Sequence, residues 1–375
     1  MQFPKKLSTK LAQRKENNSL RILGEHTNLI DFSSNDYLGF AKSEVVFDKT
    51  HQFLIDKNIK INGATGSRLL SGNHNLYTEV EKELSEFHNS DAALIFNSGY
   101  DANIGFFSSV PQRGDIILYD ELIHASIRDG IQLSKAKAYK FKHNNLFDLK
   151  EKIVRFKPNE NNDVYVITES IFSMDGDSPD LKKIVQVCEK YKANLIVDEA
   201  HAIGVFNNGL IEELGLEKGV FARIITFGKA LGCHGAAILC CNSLKEYLIN
   251  FSRSFIYTTG LSPHSIATIS FAYKELQLSN SREKLQTNIC FFTEEANRLN
   301  LNFIKSKSAI HCCIIPGNEN VKNIAKKLEK IGFDVKPILS PTINKGEERL
   351  RFCLHSYNSH QEITFVLEQL ATFVS

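Results

Sequence analysis

The chain lacks a dominant charge of either sign. Its 45 Lys and Arg stand against 43 Asp and Glu, a formal net charge of +2. No overall field therefore draws it to nucleic acid or to a membrane surface, and an anionic ligand would have to meet local positive groups. It also lacks any apolar stretch approaching the ~18–20 residues that cross a bilayer; runs such as GAAILC at 235–240 are strand-sized. The opening segment MQFPKKLSTKLAQRKENN is basic but contains no apolar core of a secretory signal, so a cytoplasmic protein is the expectation. Although there are eight cysteines, no CxxC pair occurs, and most sit inside apolar runs, where a thiol behaves as a small buried hydrophobe. Metal and disulfide roles are not expected. Internal repeats and low-complexity tracts are absent as well.

What remains is a chain of 375 residues, 42% of them hydrophobic, enough for a large core and for more than one domain. Its middle alternates short apolar runs with helix-period segments, the pattern of a parallel sheet covered on both faces. Strands are expected over 93–96, 164–168, 194–197, 223–227 and 236–240. Between two of these, 179–191 reads as a helix with Leu181, Ile184, Val185 and Cys188 on one face. From about Glu275 the rhythm changes: a long helix, a strand over 309–315, a helix over 321–331 stopped by Gly332, two further strands and a last helix. The expected organisation is α/β, with an N-terminal arm over 1–45, a large domain with a mostly parallel sheet over 46–274, and a small α+β domain over 275–375.

In an open parallel sheet, ligands collect at the carboxyl ends of the strands. Asp198 ends one strand in the run LIVDEAH, and Lys229 follows another in IITFGKALG. Placed separately, an aspartate there is commonly a helix cap and a lysine a solvated surface group. Together they suit pyridoxal phosphate, whose aldehyde takes a lysine as an imine and whose ring nitrogen is kept protonated by a carboxylate. Gly228, Gly232 and Gly235 would let backbone approach a flat ligand where a Cβ would collide. The turn Asn97-Ser98-Gly99-Tyr100-Asp101, between a strand and a helix, offers backbone donors to a phosphate, and Thr226 adds a hydroxyl. His124 and His201 are the two histidines best placed to meet the ring, by stacking or by donating to its phenolic oxygen. Cys233 lies near Lys229 in sequence, where a packing role is the simpler reading.

The segments FSSNDYLG, GSRLLSGNH, SGYDAN, HASIRDG, FSMDGD, VDEAH, TFGKALG and RLRF occur in the order found in the α-oxoamine synthases, and the chain resembles that family over nearly its whole length. The resemblance implies the fold type I architecture of pyridoxal-phosphate-dependent transferases and a homodimer with its active site at the subunit boundary. It also implies decarboxylative condensation of a small amino acid, expected to be L-alanine, with an acyl thioester, expected to be pimeloyl on coenzyme A or a carrier protein. By the same resemblance Lys229 is the Schiff-base lysine, Asp198 the pyridinium partner and His124 the ring-stacking histidine. His201 and Ser173 match contacts to the ring oxygen, while Gly99, Tyr100 and Thr226 match positions holding the cofactor and its phosphate. Arg351 resembles the arginine that binds the amino-acid carboxylate, a role suited to a bidentate fork; Arg21 and Thr342 resemble further substrate contacts. Thr258 and Thr259 fall where the family reaches a neighbour's phosphate. One departure concerns the acyl chain: some relatives that use a pimeloyl donor carry an arginine in an RPPT-like run, where this chain reads Leu339-Ser340-Pro341-Thr342. Glycine with an acetyl donor, another acyl donor, and a non-catalytic partner subunit are the alternatives.

Overall fold

The structure, a computed structural model, describes residues 3–21, 23 and 28–374. It opens with helix α1 (Lys5–Glu16) and a short strand β1 (Ile30–Asp31), then runs through α2 (Glu44–Asp56) and α3 (Asn75–Phe87) into an alternating region. There β2 (Ala92–Phe96), α4 (Gly99–Ser109), β3 (Ile116–Asp120), α5 (Ala125–Leu133), β4 (Lys137–Phe141) and α6 (Leu146–Phe156) follow one another. The alternation continues through β5 (Val164–Glu169), α7 (Leu181–Tyr191), β6 (Asn194–Asp198), β7 (Ala222–Thr226) and β8 (Ala236–Cys240).

Two units emerge. One comprises 35–173 and 177–284; the other comprises the described residues up to Ser34, together with 174–176 and 285–375. These borders differ from those expected at 45 and 274. The short strand β1 pairs in parallel with β10 (Phe333–Asp334), within the smaller unit. The expected long helix from Glu275 is also two helices, Pro263–Leu278 and Ser281–Arg298, separated at Ser279 and Asn280.

The larger unit holds a seven-stranded sheet in the order β2-β8-β7-β6-β5-β3-β4. The β7-β6-β5-β3-β4 neighbours are all parallel, while β8 runs antiparallel to both β7 and β2. The start of β8 therefore lies at the same edge as the carboxyl ends of the other strands. Every residue of β2, β5 and β8 is buried, as strands covered on both faces must be. The pleat divides the side chains of the sheet between its two faces: on β6, Ile196 belongs to the core with Phe106, Phe107 and Ile127 from α4 and α5, whereas Val197 belongs to the core with Leu149, Ile153 and Ile184 from α6 and α7. The outer strand β4 exposes Lys137, Tyr139 and Lys140, and the two lysine charges discourage pairing with another edge.

Helix caps are written locally. Ser98 accepts from the Asp101 N–H at the start of α4, Asn145 from Asp148 at α6, and Asp180 from Lys183 at α7.

The smaller unit has a three-stranded antiparallel sheet, β11 (Lys336–Ile338), β12 (Arg349–Cys353) and β9 (Ile310–Ile314) in that order. Gly332 follows the helix Asn318–Lys330 with φ +99°, the left-handed backbone expected of a glycine that ends a helix. No helix among the described residues is long and apolar enough to cross a membrane.

Candidate active site

The sheet geometry brings the loops after β2, β3, β6 and β7, the end of β5 and the segment before β8 to one edge. There they line a cavity of about 270 Å3. Lys229 and Asp198 share it, with Ser98, Gly99, Tyr100, His124, His201 and Thr226.

Asp198 is 6% exposed. Its Oδ2 accepts from Asn103 Nδ2 at 3.1 Å and its Oδ1 from the Ala200 N–H at 2.9 Å, so the carboxylate is held at both oxygens. Asn103, on α4, also donates to Ser126 Oγ at 2.9 Å. With that oxygen accepting, the Ser126 hydroxyl turns to His124 Nδ1, 2.8 Å away, which receives the Ser126 N–H as well. His124 thus caps α5 through Nδ1 and keeps Nε2 for the cavity. One side of the residue is open to solvent, yet surrounding protein lowers its pKa by desolvation, against the charge of Asp198 and in concert with that of Lys229.

Lys229 Nζ lies 2.7 Å from His201 Nε2. The other ring nitrogen of His201 is 2.7 Å from the buried Tyr37 hydroxyl, and that hydroxyl donates to Asn35 Oδ1 at 3.1 Å. The sequence of donors is consistent in one direction only: Tyr37 accepts from His201 Nδ1–H, and Nε2 is left as the acceptor for Lys229.

Also in the lining, α4 begins with Gly99; Ser98 caps the Asp101 N–H, while the N–H groups before it have no intrahelical acceptor. A Cβ on Gly99 would stand 2.5 Å from Thr226 Cγ2, so only glycine permits this approach of helix to strand. Thr226 Oγ1 is buried with no hydrogen-bond partner among the described residues, an unsatisfied hydroxyl beside a helix N-terminus. A phosphate fits this set of donors: the helix end supplies N–H groups and a favourable dipole, and the orphan hydroxyl gains a partner. A pyridine ring nitrogen and an aldehyde find a carboxylate and an amine in the same cavity. The residues present fit pyridoxal phosphate.

The model of the class I and II aminotransferases matches residues 27–370. The chain belongs to that family. Within it, it is an α-oxoamine synthase. The 8-amino-7-oxononanoate synthase of Emericella nidulans is 38% identical, with 92% of this chain and 89% of that protein covered. Among solved structures, serine palmitoyltransferase from S. paucimobilis with bound PLP and myriocin is 25% identical at a TM-score of 0.89, covering 98% of this chain and 96% of that one. The 8-amino-7-oxononanoate synthase of Francisella tularensis is 29% identical at a TM-score of 0.78, covering 92% and 97%.

Not every residue singled out from the sequence of this α-oxoamine synthase lines the cavity. Ser173 is buried four residues past β5 and is not part of its lining. Tyr100 is at the lining, but its hydroxyl points to Asp129 Oδ2 at 2.8 Å. Thr258 Oγ1 and the Thr259 carbonyl accept from Asn97 of the same chain. Cys233 packs against the Leu231 carbonyl, its thiol pushed up to about 12 by burial. Arg21, Thr342 and Arg351 belong to the smaller unit. There Arg21 and Thr342 are exposed, and Arg351 is buried on β12 with Nη1 donating to Cys353 Sγ at 2.9 Å.

Sequence reasoning missed Asn103, Tyr37, His234 and Glu169 in the site. Glu169 is 3% exposed, stands opposite Asp198 in the β5–β6 register, and accepts the His124 backbone N–H. Desolvation first, and then the charge of Asp198, push its pKa up to about 8. The one sequence signal for it was its position at the carboxyl end of a buried strand, level with Asp198.

Proposed function

We propose that this chain is an 8-amino-7-oxononanoate synthase, which joins L-alanine to a pimeloyl thioester and releases carbon dioxide and free thiol. It is a pyridoxal-phosphate-dependent acyltransferase. The substrate reading is carried by the 38% identity over 92% of the chain to a relative of that name, and it is supported by the lysine, carboxylate and helix N-terminus gathered in one cavity.

When bound, pyridoxal phosphate supplies an electron sink that accommodates negative charge on the amino acid's α-carbon. Everything else falls to the chain. Lys229 would hold the cofactor through its side-chain amine, and the same amine is the group of the chain placed to take the α-proton. His201 fixes the position of Nζ through Nε2 and is itself fixed by Tyr37. Asp198, kept in place by Asn103 and Ala200 N–H, keeps a proton on the ring nitrogen. His124 presents Nε2 to the cavity, while Gly99, Tyr100 and Thr226 receive the phosphate. Ser173 is assigned to the cofactor, and Arg351, Arg21 and Thr342 to the substrates, on the family resemblance alone; so is assembly as a homodimer, with Thr258 and Thr259 directed to the neighbour. A cytoplasmic location is part of the same proposal.

A second reading has a specific observation in its favour: the fold superposes better on serine palmitoyltransferase, TM-score 0.89, than on the Francisella 8-amino-7-oxononanoate synthase, 0.78. The two separate by thiol release from the purified protein. L-alanine with pimeloyl-CoA is expected to be the productive pair; release confined to L-serine with palmitoyl-CoA, or to glycine with acetyl-CoA, would refute the proposal and move the chain elsewhere in its family.

A further inference from the structure

The lining of the cavity includes a third histidine that none of the roles above employs. His234 lines it beside Thr226, Gly228 and Gly235, is exposed, and has no hydrogen bond to any described residue. The other two histidines are engaged, His201 between Lys229 and Tyr37 and His124 with Ser126.

Its position follows from the one strand that runs against the rest. Ala236, the first residue of β8, pairs with Phe96 on β2 and with Thr226 on β7. His234 and Gly235 therefore enter the sheet between the exit of β2, which leads to Ser98 and the N-terminus of α4, and the exit of β7, which leads to Lys229. The entry is tight: Phe227 N–H donates to the Gly235 carbonyl at 3.0 Å, and a Cβ on Gly235 would meet the Phe96 carbonyl oxygen at 3.2 Å. Gly235 has φ +112°, a backbone turn that a side chain would resist. Close packing thus holds residue 234 against the same edge that carries Thr226 and the first turn of α4.

A cofactor phosphate carries close to two negative charges. Among the described residues lining the cavity there is no arginine, and the one lysine is Lys229. Helix N–H groups and the Thr226 hydroxyl supply donors without a full positive charge.

We infer that His234 is a phosphate-binding residue of this cavity, donating an imidazole N–H to the phosphate held at the N-terminus of α4. The inference rests on the cofactor reading above.

The test compares two aldehydes that differ only in the phosphate. The full-length chain, stripped of cofactor, is titrated with pyridoxal phosphate and with pyridoxal, following absorbance or fluorescence to obtain each dissociation constant, for the wild type and for His234→Ala. Removing one donor to a charged group is expected to weaken pyridoxal phosphate by roughly tenfold or more while leaving pyridoxal within about twofold. An unchanged affinity for pyridoxal phosphate, or an equal loss for both aldehydes, would overturn the inference. Failure of the underlying reading looks different: the wild type would then capture neither aldehyde, or Lys229→Ala would capture both as well as the wild type does. Because the His234 side chain has no hydrogen-bond partner among the described residues, its truncation is expected to leave the fold intact, and a melting temperature for the variant checks this directly.

Discussion

Lys229 Nζ and His201 Nε2 are 2.7 Å apart, and the imidazole is locked in that orientation by the buried hydroxyl of Tyr37. The proton-transferring amine is therefore positioned by a side chain on the neighbouring strand's loop. His201→Ala is expected to lower kcat on the order of a hundredfold while the cofactor stays bound. Tyr37→Phe leaves a buried ring N–H without an acceptor, at a cost of about 1–3 kcal/mol in stability, and should lower kcat by roughly tenfold. Steady-state kinetics beside the visible absorbance of the loaded enzyme separate the two effects; loss of the cofactor absorbance in His201→Ala would contradict a positioning role.

Asp198→Asn preserves the shape of the side chain and its place beside Asn103 but removes the charge that keeps the ring nitrogen protonated. The expected result is a loss in kcat on the order of a hundredfold or more with cofactor still bound. Since the charge of Asp198 is also one of the causes that raise Glu169, the same variant should bring the Glu169 pKa down from about 8. Carboxyl resonances followed by NMR report that shift.

Glu169 also makes a prediction about stability. Its ordinary value of 4.5 is raised to about 8 in the folded chain, so between those values the folded state keeps a proton that the unfolded state has lost. The folded state binds more protons, and its stability declines as pH rises through that window. Glu169→Gln keeps an oxygen for the His124 N–H and removes the titration. Denaturant midpoints measured from pH 5 to 8 should fall less steeply in this variant than in the wild type.

Away from the cavity, His143 bridges Asp120 and Asp177, at 2.9 Å from each. Burial works against its charge, but the hydrogen bonds and charges of the two aspartates prevail and raise it to about 9. Its stabilisation is complete below the ordinary value of 6.5 and is lost as pH rises from there to about 9. His143→Ala should destabilise the chain by about 2–3 kcal/mol at pH 6 and by much less above pH 9. Thermal melts at the two pH values decide it; an equal loss at both would mean that packing against Phe172, not charge, is what the residue contributes.

The strands that carry the site were legible because burial on both faces makes them continuous apolar runs. The segment 236–240 coincides with β8, and 194–197 stops one residue short of β6. Lys229 and Asp198 were legible for the same reason, each standing just where such a run ends. The strands β3 and β4 went unread; in β4 four of five residues are exposed, so its composition, KAYKF, resembles a solvated loop. Partners supplied by distant segments also stayed hidden. Tyr37 is 164 residues from His201 and Asn103 is 95 from Asp198, separations that no local pattern spans. His234 escaped because only the antiparallel course of β8 carries it to the carboxyl edge of the sheet. The strand β1 shows the converse limit: two residues pairing with Phe333–Asp334, within the smaller unit, are too few to leave a periodic trace.

Whether Lys229 carries pyridoxal phosphate is decided by borohydride reduction of the loaded protein followed by peptide mass mapping. One modified lysine is expected, Lys229, heavier by the mass of the reduced cofactor, with no such modification in Lys229→Ala. A label on a different lysine, or a Lys229→Ala variant that is modified as fully as the wild type, would contradict this role for Lys229.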